Sequence, residues 1–133
     1  MHANMTEYLR INLDTEMWEC RRCDGELISA HENYKRGLLV HDRAPHEIHK
    51  PLLDPEKYEY TFCPDPKYTA ILEFYCPHCG QMIEVEYTVP GHPPVYDIEP
   101  DVEDLKKKVA SWGDVPERPD IPDVEIERHV HQH

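Results

Sequence analysis

Cys20-Arg21-Arg22-Cys23-Asp24-Gly25 and Cys76-Pro77-His78-Cys79-Gly80 decide the reading of this chain. Each is a C-x-x-C pair with a glycine after its second cysteine. A two-residue gap lets both thiolates of a pair reach one ion from a tight turn, and glycine tolerates the positive φ such a turn requires. Pro77 presets φ inside the second turn. Two knuckles of this kind supply four soft thiolates in a tetrahedron, the arrangement of structural zinc. Cys20, Cys23, Cys76 and Cys79 are therefore the expected metal ligands. Zn²⁺ is the default ion, although iron accepts the same sulfur tetrahedron.

Other uses of cysteine fit less well. The chain has 5 cysteines, an odd number, and no apolar leader is apparent in Met1–Glu16, so a secreted disulfide framework is not expected. A thioredoxin-like redox pair uses one C-x-x-C beside a βαβ pattern, and here there are two pairs and no such pattern. Cys63, in Phe62-Cys63-Pro64-Asp65-Pro66, is the leftover thiol. It reads as a small buried hydrophobe in preference to a fifth ligand or a reactive thiol.

Outward from the knuckles the pattern is extended. Met17-Trp18-Glu19 leads into the first knuckle and Glu26-Leu27-Ile28-Ser29 leads out. From Tyr68 to Tyr75 the chain alternates, with Tyr68, Ala70, Leu72 and Phe74 on one side. After the second knuckle Ile83, Val85, Tyr87 and Val89 alternate with Glu84, Glu86 and Thr88. Period-two alternation predicts half-buried strands. The expected fold is mainly β: a zinc-ribbon-like core of two cysteine knuckles and short antiparallel strands, with long irregular loops, one C-terminal helix and an extended tail.

The expected organisation is an N-terminal arm over 1–16, with Tyr8, Leu9, Ile11 and Leu13 as a short strand or a partner-binding arm. A zinc-ribbon-like domain over 17–98 follows, interrupted by a His- and Pro-rich excursion over 30–67. His41, His46 and His49 lie in that excursion at a spacing that fits no strong ligand pattern, so they read as solvated or hydrogen-bonding groups. A helix is predicted over 99–113. Asp101 is its N-cap, Val102, Leu105, Val109 and Trp112 form its apolar face, and Gly113 stops it. Residues 114–133 form an acidic, proline-punctuated tail.

Composition narrows the function. The 133 residues carry 14 Lys and Arg against 27 Asp and Glu, a net charge of −13. That balance opposes a phosphate backbone as partner. No apolar run approaches the ~20 residues of a membrane span. With 39% hydrophobic residues and 13 prolines, the core is thin, and such a chain needs a metal or a partner surface to hold it together. No phosphate-cradling loop, Ser-His-Asp set or distinct carboxylate pair is present. A metal-stapled binding or assembly module is the reading these residues support.

Three segments together resemble a known family: Cys20 to Gly25; Asn33-Tyr34-Lys35; and Glu73-Phe74-Tyr75-Cys76-Pro77-His78-Cys79-Gly80 with Glu84-Val85-Glu86 and Val89-Pro90-Gly91-His92-Pro93-Pro94-Val95-Tyr96-Asp97-Ile98. The chain is similar, over roughly residues 17–98, to the small zinc-containing subunit of the acetone and acetophenone carboxylases, and its shortness favours the acetophenone type. The resemblance implies a non-catalytic subunit of a biotin-independent, ATP-dependent, multi-subunit ketone carboxylase, a ligase complex of the cytoplasm. The larger subunits would carry the chemistry, and the small one a zinc on Cys20, Cys23, Cys76 and Cys79.

Three alternatives stay open at this level. Two C-x-x-C knuckles, the second of them C-P-x-C-G, on an acidic chain also resemble rubredoxin, an iron electron carrier. Arg21 and Arg22 in the first knuckle would suit a nucleic-acid-binding zinc ribbon. A catalytic zinc would keep an open position, which four thiolates close.

Overall fold

The first knuckle grows out of one strand and returns into another. In the structure, a computed structural model that describes residues 1–49, 56–57 and 63–112, β3 (Met17–Cys20) runs into Cys20 and β4 (Glu26–Ser29) leaves after Gly25. They pair antiparallel, with Trp18 opposite Ile28 and a register shift between Trp18 and Glu19. On the other side of β3 lies β2 (Leu9–Asn12), and beyond it β1 (His2–Asn4), giving a four-stranded antiparallel sheet of order β1-β2-β3-β4.

The expected N-terminal arm over 1–16 is thus two strands of the first sheet. The reason is burial: Ala3, Leu9, Ile11 and Leu13 are all inside, and the period of two in β2 puts Leu9 and Ile11 on the core side. Glu16, at φ 53, turns β2 back into β3.

The second knuckle is built the same way. β6 (Ala70–Tyr75) enters it and β7 (Met82–Thr88) leaves it. Their partner on the far side of β6 is β5 (Leu39–Arg43), in a three-stranded antiparallel sheet of order β5-β6-β7. The expected irregular excursion over 30–67 therefore contains a strand, together with a 3₁₀ turn at Tyr34–Gly37 and a short helix α1 (Pro45–Ile48). Val40 sits opposite Phe74 and Arg43 opposite Ile71. Pro45 defeats a strand reading beyond β5, because proline ends the run and starts α1 at its first position.

The core gathers both sheets. Trp18, Tyr34 and Phe74 are fully buried with Leu9, Ile11 and Leu13. The Trp18 and Tyr34 rings lie 5.4 Å apart at 55°, and the Trp18 indole donates to the Glu32 carbonyl at 3.2 Å. β6 is covered on both sides, with Ala70 and Phe74 buried on one and Ile71 and Glu73 on the other. Tyr68 lies outside the strand and is exposed.

The apolar set of β7 is split by the fold. Ile83 packs against the core, but Val85 and Tyr87, with Val89 just past the strand, face solvent, while Glu86 turns inward to a buried lysine. Hydrophobicity alone misleads here because a charge partner, Lys35, waits inside.

The C-terminal helix α2 (Val102–Trp112) starts as expected. Asp101 Oδ1 accepts from the Asp104 backbone N–H at 3.0 Å, an N-cap. Val102 is buried, and Leu105 and Val109 pack on the core. Trp112 departs from the expected apolar face and is exposed. Gly113 and the 114–133 tail lie outside the described residues.

Candidate metal centre

The two knuckles are superposable in their hydrogen bonds. Asp24 N donates to Cys20 O at 2.8 Å and Cys20 N to Gly25 O at 3.0 Å; Gly80 N donates to Cys76 O at 2.9 Å and Cys76 N to Gln81 O at 2.8 Å. The residue after each second cysteine takes the left-handed conformation, Asp24 at φ 62 and Gly80 at φ 78. Gly80 is thus the permissive turn residue expected of it. In the first knuckle that position belongs to Asp24, whose carboxylate meets Arg10 Nη2 at 2.9 Å.

Gly25 is small for another reason. A Cβ there would stand 2.5 Å from His78 Cδ2 and 3.2 Å from Cys23 Sγ. The His78 ring closes over Gly25 so that its Nε2 donates to the Glu26 carbonyl at 2.7 Å. Arg22 Nη1 donates to Gln81 Oε1 at 2.7 Å in the reverse direction. Each knuckle therefore holds the other by a side chain from its own x-x positions or flank. Arg21 donates to the Thr6 carbonyl at 2.8 Å, so both knuckle arginines are engaged in the fold and not arrayed for phosphate.

The four sulfurs converge. Cys20, Cys23, Cys76 and Cys79 bring their Sγ atoms within 4.8 Å of one another. Cys20 and Cys79 stand 3.8 Å apart, and Cys23 and Cys76 3.7 Å. A disulfide needs about 2.05 Å, so no sulfur pair is bonded. Zinc–sulfur bonds of about 2.3 Å put the edges of a tetrahedron near about 3.8 Å. The donor set fits a structural zinc in number, chemistry and spacing.

The surroundings shift the thiols unequally. Burial raises the Cys20 thiol above its ordinary value, and burial chiefly pushes Cys23 up to about 12. Cys79 is lowered, mainly by the backbone N–H of Gln81. Gathering several thiolates here without a cation is opposed by desolvation and mutual repulsion, and a divalent ion offsets both.

The other sequence candidates stay apart from this cage. Cys63 lies outside it, its Sγ 3.6 Å from the Pro64 carbonyl. His41 sits on β5, His46 is exposed on α1, and His49 Nε2 meets the Tyr87 hydroxyl at 2.7 Å. Among the described residues these three histidines form no ligand cluster.

A second buried polar centre escaped sequence reasoning. The Lys35 side chain is 2% exposed and its Nζ lies 3.0 Å from Glu86 Oε1 and 3.6 Å from Asp97 Oδ1. The Tyr34 hydroxyl donates to Asp97 at 3.1 Å, and Val95 N donates to Glu86 Oε1 at 2.9 Å. Asn33, Tyr34 and Lys35 thereby clamp the irregular strap of residues 93–98 between β7 and α2. The signal was present: these residues are two of the quoted family segments, and an internal Asn-Tyr-Lys facing a Tyr-Asp dipeptide pairs opposite charges.

The acetone carboxylase gamma subunit family matches residues 3–110. The acetophenone carboxylase beta subunit of Aromatoleum aromaticum is 51% identical over 104 residues, covering 78% of each chain. The acetone carboxylase gamma subunit of Xanthobacter autotrophicus is 30% identical over 108 residues, 80% of this chain and 60% of that one. The match begins within β1 and ends inside α2, so it takes in both sheets, both knuckles and the Lys35 clamp. The chain belongs to the acetone carboxylase gamma subunit family.

Proposed function

We propose that this chain is the structural zinc subunit of a cytoplasmic, biotin-independent, ATP-dependent ketone carboxylase of the acetophenone type, where it assembles or stabilises the larger catalytic subunits. One observation carries the reading: four cysteines on two matched knuckles fill a tetrahedral set, which leaves no position for substrate or water. Such a site contributes folding free energy, not turnover. The likeness to the acetophenone carboxylase subunit over 78% of both chains supports the acetophenone type. Among the described residues no helix is long and apolar enough to cross a membrane.

The test is purification of the native protein from its source with metal analysis and identification of co-eluting chains. One zinc per chain, no colour and the larger carboxylase subunits are the expected result. Supplied with ketone, ATP and bicarbonate, the isolated chain turns nothing over. A red protein with stoichiometric iron and no co-eluting subunits would establish the electron-carrier reading instead, since the same sulfur spacing accepts iron.

A further inference from the structure

The groove beside the first half of β7 joins a feature of the metal region to an unpartnered strand edge. It has a volume of about 290 Å³ and lies between the turn Thr6–Tyr8 and Met82–Val85. Tyr8, Met82, Ile83 and Val85 give it apolar surface, and Glu7 and Glu84 also line it. Met82 and Val85 are more than a third exposed, at 37% and 38%. β7 is the last strand of its sheet, so among the described residues no strand pairs with its outer side.

We infer that this groove docks an extended segment of one of the larger carboxylase subunits, with an apolar anchor flanked by Lys or Arg. The inference rests on the subunit role proposed above and deepens it by naming the surface. Charge selects the occupant. A second copy of this chain would bring its own Glu7 and Glu84 against the same two carboxylates, on a molecule of net charge −13, and like charges across an interface are strongly disfavoured. A cationic segment meets complementary charge at Glu7 and Glu84 beside the apolar lining. No strand lies beyond β7 among the described residues, so a segment can add along this edge in the strand-addition mode of peptide recognition once it displaces the Glu84 carboxylate that now accepts from Val85 N at 2.9 Å. Its position also explains a role for the metal beyond folding: Met82 follows Cys79 by three residues, and Thr6 and Tyr8 are held by Arg21 of the first knuckle, through Nη1 to the Thr6 carbonyl at 2.8 Å and the backbone N–H to the Tyr8 carbonyl at 2.9 Å. Both walls of the groove are thus fastened to the sulfur cage.

The experiment measures binding of the zinc-loaded full chain to the purified assembly of larger subunits. Val85→Asp weakens it by about 30-fold, the size of an interface hot spot. The rim pair Glu7→Lys with Glu84→Lys weakens it by about tenfold and flattens its salt dependence. Glu32→Lys with Glu103→Lys, the same charge change elsewhere, leaves it within twofold. Zinc content and the circular dichroism of every variant match the parent, so that loss of folding is not mistaken for loss of docking. Parental binding by the groove variants overturns this inference alone. Failure of the parent chain to bind at all overturns the subunit role with it. A dimer of the isolated chain that Val85→Asp abolishes assigns the groove to a second copy and equally refutes the proposal.

Discussion

Lys35→Met is the substitution whose cost the structure specifies best. The methionine keeps an unbranched stem in the space where Nζ lies 5.5 Å from the Phe74 ring centroid and 5.9 Å from that of Tyr34. It removes the ammonium group, and with it the hydrogen bond to Glu86 and the ion pair with Asp97. Glu86 is then left inside with its Oε1 bound by Val95 N and its buried Oε2 without a partner among the described residues. Stranding one member of a buried pair costs about 3–5 kcal/mol. Against a domain stability of about 5–15 kcal/mol, that is a large fraction, and it lowers the melting temperature by roughly 10–20 °C. Adding Glu86→Leu removes the stranded charge and recovers most of the loss, short of the roughly 1 kcal/mol of the Val95 hydrogen bond. The assay is urea unfolding of parent, both single variants and the double variant at one fixed free zinc concentration, since ligand binding to the folded state shifts the apparent stability. A coupling energy of at least about 2 kcal/mol is expected. Additive single effects, within about 0.5 kcal/mol, would refute the claim that Lys35 and Glu86 stabilise one another across the core.

Removing the metal with a chelator unfolds the chain or drops its melting temperature sharply, because binding and folding share one free energy; an unchanged melting curve would refute a folding role for the cage. Gly25→Ala drives a Cβ against His78 and Cys23, so zinc affinity measured by competition with a chromophoric chelator falls, whereas Gly80→Ala, which has open space around its Cβ, costs about 1 kcal/mol of stability through its positive φ and changes affinity little. Glu73 accepts from Arg43 Nε at 3.0 Å and from the Tyr75 hydroxyl at 2.9 Å, and Arg43 first, then Tyr75, hold its carboxyl below the ordinary value against the opposing effect of burial. A depressed carboxylate contributes stability that is fully present above the usual carboxylate range and is lost as pH falls through its own lower value. Glu73→Gln therefore makes stability less steep in pH on the acid side, read as the difference from the parent in urea midpoints between neutral and acid buffer; an identical acid slope would count against this pairing.

The knuckles were legible because their chemistry is local: two residues of spacing and one turn conformation place each pair of sulfurs. The strands beside them were legible for the same reason, since Met17–Cys20 and Glu26–Ser29 must run to and from the turn. What escaped is set by distant partners. Glu86 belongs inside only because Lys35, far away in sequence, arrives beneath it, so a rule that sends acids outward misplaces Glu86 and, with it, Val85 and Tyr87. β5 escaped because its residues are almost all exposed and it is held by pairing with β6, leaving no burial pattern to read. Leu9 and Ile11 carried the right period, but without knowledge of a neighbouring strand the same residues suit an arm on a partner. Asp24 at positive φ was hidden by the glycine beside it, which the His78 ring needs instead.

These non-local contacts join the same two stretches of chain that the cysteines join. One stretch runs from the first knuckle through β4 to Lys35; the other runs from the second knuckle through β7 to Glu86 and on to Asp97. The sulfur cage closes them at one end and the buried ion pair at the other. A pair of segments fastened at both ends loses little further entropy when the sheet between them forms. That is how a chain with few large core residues can order an irregular strap and dock α2 behind it. It also sets the division of labour between the two fastenings. An ion pair inside a protein is a weak source of stability on its own, because desolvation cancels much of its attraction, but it fixes which partners meet. Four soft donors around one cation supply the larger free energy but specify little beyond their own spacing. The cage provides the hold, and Lys35 with Glu86 and Asp97 selects the arrangement that is held.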